Sequence, residues 1–498
     1  MIAVIDIGMT NKKLAIYDDS LRLLDTKYRV FDPLIVNGLE CHDLDSIEKW
    51  YLGELAAAQK QFPVKAIAVS THGATFVCLG NNGKAALPCV YYTHEPGGEF
   101  HRRFYNRFGE AEELQAVTGT PAFEAMINPA KGLFFAQEQF PDMFKNVTKV
   151  LPYPQYWGFR LTGKAGVEST YMGCHTYLWD QIESAPSSVA RGLGIARLLP
   201  DKLNKSWDIL GNISVDTAEK TKLPADTIVT MGIHDSNASL LPHFAKKGKT
   251  GFTLNSTGTW CVMMNPVDKY GFTQEELGKV VFFNICAFGT PVKTAIFLGG
   301  QEFESWSKIL MAIHNRTDIP PYDEAKYRKI LQEADCFLLP ELVAGAGQFP
   351  GSKPRVVEGG KDYAWEETAA CTPPCFGNYE QGFALLRISL VMQSLVALER
   401  TGLQPGSAII TEGGFRKDES YNRLLSSAFK DNKVYITDIA EATALGAAMT
   451  AKMALSGKQL AELGSDFEID YQEVEKSEMP ELFSYRKAWM EQVLKKQD

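Results

Sequence analysis

Residues 2–5 are an apolar run, 6–13 mix polar and turn-forming residues, and 14–17 are apolar again. That order predicts a strand, a turn and a returning strand. Alternation continues to residue 30, which extends the prediction to a β-meander broken at Asp18-Asp19-Ser20. Ile47, Trp50, Tyr51, Leu55 and Ala58 recur at helical spacing, so 45–61 reads as a helix behind an Asp cap. Residues 64–69 are apolar and rich in β-branched side chains, a strand that runs into Ser70-Thr71-His72-Gly73-Ala74, with 75–79 as the return.

Helical patterns dominate 99–145, Leu151-Pro152-Tyr153-Pro154 marks a corner, and 166–180 is a polar and aromatic loop. A buried strand over 228–233 delivers His234-Asp235-Ser236-Asn237, followed by the start of a helix. The basic, glycine-containing stretch 243–249 is the candidate link between two domains, 1–243 and 244–498. The second half then begins like the first. Residues 250–254 read as a strand, Asn255-Ser256-Thr257-Gly258-Thr259 as a polar turn, and 260–264 as the return. Further on, 294–298 is a strand ending at Gly299-Gly300 before a helix over 302–314, and 343–378 is rich in Gly and Pro and reads as irregular. A long helix over 379–401 precedes a strand over 408–411 ending in Glu412-Gly413-Gly414-Phe415. A helix over 420–429 and a strand over 434–436 follow. The alanine-rich helix over 440–456 carries small residues, Ala444, Gly446, Ala447 and Ala448, that permit close packing. Strands followed by helices make each half α/β.

Composition narrows the class. A chain of 498 residues is too long for one core, which agrees with two domains. The net charge of −9 gives no electrostatic footprint for nucleic acid. No apolar run approaches the roughly 18 residues of a membrane span. The chain enters its first strand without a basic leader or cleavage site, so the expected compartment is the cytoplasm. Nine cysteines are an odd number for a disulfide framework, and Cys371 and Cys375 lack the partners of a zinc site; free thiols in a reducing cytosol are expected.

Familiar nucleotide motifs fail. Gly248-Lys249-Thr250 ends like a phosphate loop but has His243 where the first glycine belongs. Gly345-Ala346-Gly347 is followed by Pro350 and Pro354, which forbid the helix a dinucleotide site needs. No Gly-x-Ser-x-Gly elbow occurs. What remains is a constellation. Gly8, Thr10, Asn11 and Lys13 offer backbone N–H, hydroxyl, amide and ammonium groups to a triphosphate, and Asp6 can hold Mg²⁺ through water. Glycine pairs at strand ends, Gly299-Gly300 and Gly413-Gly414, leave room for a base or ribose against the backbone. Asp235, between a buried strand and a helix, is placed to take a proton from a hydroxyl, although capping the helix is the commoner role for such a residue. His72 reads equally as a satisfied polar group at a strand end, and Lys13 as a solvated turn lysine.

In this order the segments resemble the FGGY family of carbohydrate kinases, within the actin/hexokinase/Hsp70-like ATPase fold, over nearly the whole chain. The resemblance implies two ribonuclease H-like domains around a nucleotide and sugar cleft. It implies ATP contacts at Gly8, Thr10, Asn11, Lys13, Gly258, Thr259, Gly299, Gly413, Gly414 and Asp418, with the adenosine motif closed by Glu441-Ala442-Thr443-Ala444-Leu445-Gly446-Ala447-Ala448. It places the catalytic base on Asp235, sugar contacts on His72, Gly73, Asp235 and Tyr171, and Mg²⁺ near Asp6 and Asp235. Phe415-Arg416-Lys417-Asp418 stands where the family usually has a small residue and an amide. The expected activity is ATP-dependent phosphorylation of a ketose such as L-fuculose, L-rhamnulose or xylulose. The alternatives are a polyol kinase of the same family and a sugar-sensing protein without catalysis. The expected partners are a small sugar and ATP, with no nucleic acid and no membrane, and pairing with a second copy is left open.

Overall fold

A computed structural model describes residues 1–200, 202–439 and 441–495. The meander appears as expected, with β1 (Ile2–Ile7), β2 (Asn11–Tyr17) and β3 (Leu23–Val30) antiparallel in turn. Helix α1 (Leu44–Gln59) is capped by Asp43, whose side chain accepts the Ser46 N–H. It leads to β4 (Ala66–Thr71), parallel to β1. Helix α2 (Tyr153–Thr162) and a single turn, α3 (Ser169–Met172), precede β5 (Ile209–Asn212), β6 (Ile228–Thr230) and the two-residue β7 (Ile233–His234). The first sheet runs β5-β6-β4-β1-β2-β3, with β7 beside β4. Helix α4 (Asp235–Lys247) leaves from it.

The second sheet repeats the pattern. Strands β8 (Phe252–Thr257) and β9 (Cys261–Pro266) form a hairpin, with β10 (Val281–Ile285) and β11 (Pro291–Phe297) beyond β9. Helices α5 (Gly299–His314) and α6 (Tyr379–Arg400) lead to β12 (Ala408–Gly413), which is parallel to β8 as β4 is to β1. Helix α7 (Glu419–Ala428), β13 (Val434–Thr437), helix α8 (Ala442–Ser456) and β14 (Tyr471–Glu473) complete the order β10-β11-β9-β8-β12-β13-β14. Ala440, where the sequence starts the last of these helices, lies outside the described residues. The echo of the first hairpin in the second is therefore a repeat of sheet topology.

Three expectations are corrected. The stretch 243–249 is not a linker. Helix α4 continues through Lys247 because Leu240, Leu241 and Phe244 are buried against the second half, and His243 is buried between Glu412 (2.9 Å) and Tyr471 (2.9 Å). Residues 343–378 are not wholly irregular, since Arg355–Glu358 and Lys361–Ala364 pair as a hairpin on Cys336–Leu339. Helix α6 is long and apolar enough to span a membrane by length and composition, but it is the buried core helix of the second half.

Helices α4 and α8 join the halves. A Cβ on Gly446 would lie 1.9 Å from the Ala238 carbonyl oxygen, so only glycine lets the two backbones touch. Helix α8 also packs on β1 and β4, and one apolar cluster takes residues from both sheets. The nine cysteines are free, and only Cys371 is exposed.

Candidate active site

The deeper cavity, about 240 Å³, lies where β4 and β7 end. Beyond β4 the chain turns through His72-Gly73-Ala74, with Ala74 in the left-handed region (φ 67°). Histidines 72, 175 and 234 crowd this turn. A Cβ on Gly73 would lie 2.8 Å from His234 Nε2 and 3.0 Å from His175 Nε2, which explains the glycine. His72 Nδ1–H donates to the Gly73 carbonyl (2.6 Å) and His175 Nδ1–H to the Ile127 carbonyl (3.1 Å). Each therefore carries its lone pair on Nε2, and the buried Nε2 of His72 has no protein partner. His234 is the reverse. Its Nδ1 accepts from the Asn237 amide (3.3 Å), so Nε2–H faces Asp235 Oδ1 at 3.2 Å. Burial holds each imidazole down at about 3, and all are neutral donors or acceptors.

Asp235 is the first residue of α4. Burial raises its carboxyl to about 6, opposed by the Ser236 N–H (2.6 Å) and hydroxyl (3.3 Å). Behind it, Thr170 accepts the His234 N–H and donates to Glu168, a buried carboxyl held by Thr170, Tyr171 and Ser206. Phe123, Ile127, Phe282 and Ile296 make the cavity wall largely apolar, and among the described residues no lysine or arginine lines it.

A second cavity, about 370 Å³, opens between the halves. Lys13 and Ser239 line it from the first half, and Ser256, Gly413, Gly414 and Glu441 from the second. Ser239 stands four residues after Asp235, so one face of α4 serves both cavities. The register of β1 and β2 sets Asp6 opposite Lys13, and the ammonium bridges Asp6 (3.0 Å) and Glu441. Burial alone would lower Lys13, but the charges of Asp6 and Glu441 outweigh it and raise it above its ordinary value. Asp6 is raised by burial, against the pull of Lys13, and the Asp235 charge raises it further. The Asp235 charge is thus near enough to act on Asp6. The second hairpin approaches by backbone. A Cβ on Gly413 (φ 78°) would lie 1.8 Å from the Thr257 carbonyl oxygen, and one on Gly300 would lie 2.0 Å from that of Gly258.

Of the expected residues, Asp6, Lys13, Gly413 and Gly414 gather at the cleft, and His72, Gly73 and Asp235 line the deeper cavity. Gly8 closes the first turn, donating to the Asn11 carbonyl (3.0 Å). Thr10 and Asn11 stand exposed at that turn, Gly258 and Thr259 at the other. Gly299 is buried against Cys261, where a Cβ would lie 2.5 Å from the sulfur. Two placements are corrected. Tyr171 is buried behind the cavity wall, where its hydroxyl bonds the Thr75 backbone (2.6 and 2.8 Å), so it supports the turn instead of facing a sugar. Asp418 caps α7 through the Tyr421 N–H and pairs with Arg387 (2.9 Å), which leaves its carboxylate committed inside the second half. The site also gains residues. Glu441 and Tyr28 (2.5 Å apart) complete the Lys13 cluster, and Tyr92, Trp260 and Asn284 line the deeper cavity. Only Glu441 had a sequence signal, since it opens the motif of α8.

Two sheets of one topology meeting on a polar cleft define the actin-like ATPase fold, in the arrangement of a two-domain kinase. The model of the FGGY family of carbohydrate kinases, N-terminal domain, matches residues 1–242, and that of carbohydrate kinase FGGY, C-terminal domain, matches 249–459. The chain belongs to the FGGY family of carbohydrate kinases. A rhamnulokinase from Halalkalibacterium halodurans is 22% identical over 268 residues, covering 52% of this chain and 55% of that protein. The chain spans about half the length, or less, of the curated relatives it matches. The crystal structure of a carbohydrate kinase from Novosphingobium aromaticivorans, 26% identical, has a TM-score of 0.81 and covers 99% of this chain and 98% of its own. A ligand-bound xylulose kinase from Lactobacillus acidophilus, 16% identical, reaches 0.80 over 98% and 96%, a likeness of fold alone.

Proposed function

We propose that the protein is an ATP-dependent kinase of a neutral ketose, with 6-deoxy-L-ketoses such as L-rhamnulose or L-fuculose preferred. The supporting observation is Asp235, the carboxylate that lines the deeper cavity at the start of the helix whose Ser239 lines the cleft with Lys13 and backbone glycines. The sugar occupies the deeper cavity and the triphosphate the cleft. Asp235 takes the proton of the attacking hydroxyl as the oxygen–phosphorus bond forms and the bridging oxygen leaves with ADP. His234 Nε2–H holds that carboxylate in place, and the lone pairs of His72 and His175 accept from sugar hydroxyls.

The carboxylate oxygens of Asp6, whose pKa the Asp235 charge raises, and of Asp235 are the hard donors that would hold a divalent cation such as Mg²⁺, which would neutralise phosphate charge. A wall of Phe123, Ile127, Phe282 and Ile296 suits a methyl group, and the lack of a lining cation disfavours sugar acids. The rhamnulokinase relatives point the same way. The lobes, 1–243 and 244–498, close about the α4–α8 contact to exclude water. The free thiols support a reducing compartment, the cytoplasm.

The test is ADP release with L-rhamnulose, L-fuculose, xylulose, glycerol and gluconate. A deoxyketose should give the highest kcat/KM, and Asp235→Asn should lose at least ~100-fold in turnover. A best substrate of glycerol or gluconate overturns the sugar class, and near-wild-type turnover in the variant removes the base.

A further inference from the structure

A third cavity, about 410 Å³, lies in the second half and is lined by Gln348, whose amide bonds the Ile296 carbonyl of β11. Its lining includes Lys279, Lys353, Arg355, Arg400 and Lys495 and, among the described residues, no aspartate or glutamate. That concentration of positive charge stands out in a chain of net charge −9. Among the described residues, Arg355 is satisfied by Asp362 (3.0 Å), but no carboxylate comes within 4.0 Å of Lys279, Lys353, Arg400 or Lys495. The nearest acids on packed elements are already engaged: Glu276 with Lys293 (2.6 Å), Glu399 with Arg486 (2.5 Å), and Glu341 with the Phe349 N–H (2.7 Å). Arg400 is largely buried, and burial lowers its pKa against the opposing charges of Glu276, Glu341 and Glu399.

The cavity is also wired to the sugar site. Arg400 Nη1–H donates to the Gln348 carbonyl (2.6 Å) and to its Oε1 (2.9 Å). The buried Gln348 amide then donates to the carbonyls of Val280 (3.0 Å) and Ile296 (2.7 Å). Ile296, and Phe282 two residues past Val280, form the apolar wall of the deeper cavity. A ligand that draws Arg400 therefore pulls on the two strands that shape that wall.

We infer that this cavity is a regulatory site for a small phosphorylated molecule carrying at least two negative charges, coupled to the sugar cavity through Gln348. A concave site with dispersed cations suits a compact polyanion that can accept from ammonium and guanidinium groups together. The coupling rests on the sugar-site reading; the anion site itself does not.

The test uses pyrophosphate and the full chain, by titration calorimetry and hydrogen exchange. Four variants are compared with wild type: Lys279→Gln with Lys353→Gln, Lys145→Gln with Lys308→Gln as an exposed charge-matched control, Lys13→Gln to remove one of the cleft's cations beside Arg416 and Lys417, and Gln348→Ala. Affinity should fall at least tenfold in the first and hold in the exposed control, while Lys13→Gln reports any binding in the cleft and Gln348→Ala, which itself lines the cavity, is read by exchange. Exchange over 281–285 and 291–297 should slow on binding in wild type and not in Gln348→Ala. Millimolar pyrophosphate that fails to bind wild type, or affinity lost with Lys13 and not with the cavity lysines, overturns the site. Unchanged exchange in wild type overturns the coupling. Neither readout needs turnover, so failure of the kinase reading is separable from failure of this one.

Discussion

The two hairpins, β1–β2 and β8–β9, hold the same place in their sheets and solve different problems. In the first, cross-strand partners carry opposite charge, Asp6 against Lys13, and Glu441 reaches across from the other half to share the ammonium. In the second, the residues are uncharged. Thr257 spends its hydroxyl on the Glu412 carbonyl and the Phe415 N–H, and Gly300 and Gly413 let backbone close on backbone. One turn contributes charge, the other proximity. A repeated backbone thus carries two different sets of groups to the same cleft.

The sharpest way to break the contrast is Lys13→Ala. It strands the buried Asp6 and the partly buried Glu441 and should lower ATP turnover about 100-fold, in the range for loss of one charge-stabilising donor, with partial rescue by Lys13→Arg. A loss under tenfold in the ADP-release assay would mean that the first hairpin does not carry the charge. On the other side, Gly413→Ala inserts a Cβ 1.8 Å from a carbonyl oxygen at φ 78°. It should cost at least ~1–3 kcal/mol in urea unfolding. An unchanged midpoint would show that the second turn does not need that closeness.

The pH dependence belongs to the charged side. Asp235 must be ionised to accept a proton, so kcat/KM should fall as pH drops below about 6. The stability sign is the opposite. The folded carboxyl is raised above its unfolded value, so its stabilising contribution is full below about 4 and is lost as pH rises through about 6. Asp235→Asn should then be more stable than wild type at pH 8, by thermal melting, and lose that advantage in acid. The smallest effect is expected from Thr259→Ala, a hydroxyl exposed at the second tip, within about threefold in KM for ATP. A large loss there would make the second hairpin a chemical partner as well as a steric one.

Much of this was legible early because the periodicities are local. The first meander, the polar turn at 255–259 and the alanine-rich helix all announce themselves within a dozen residues, and the pairing of Asp235 with a strand end and helix start does too. Tyr171 and Asp418 went the other way. A tyrosine in a polar loop and an aspartate after a glycine pair look available in a sequence, yet one hydroxyl is spent on the Thr75 backbone and one carboxylate on Arg387, more than thirty positions away in chain order. The stretch 243–249 misled for a similar reason, since its basic and glycine residues hide a histidine that β12 and β14 bury.

The sequence by itself determined the α/β halves, their shared hairpin pattern and the types of chemical group present. These depend on hydrophobic period, turn residues and composition, which act over a few residues at a time. Only the tertiary structure decided which groups remain free to act. Whether a carboxylate is committed to an arginine, or cations line a cavity without an ion pair among the described residues, depends on contacts between separate segments of the chain. Burial then sets the strength of each such contact, and no local pattern encodes burial at that distance.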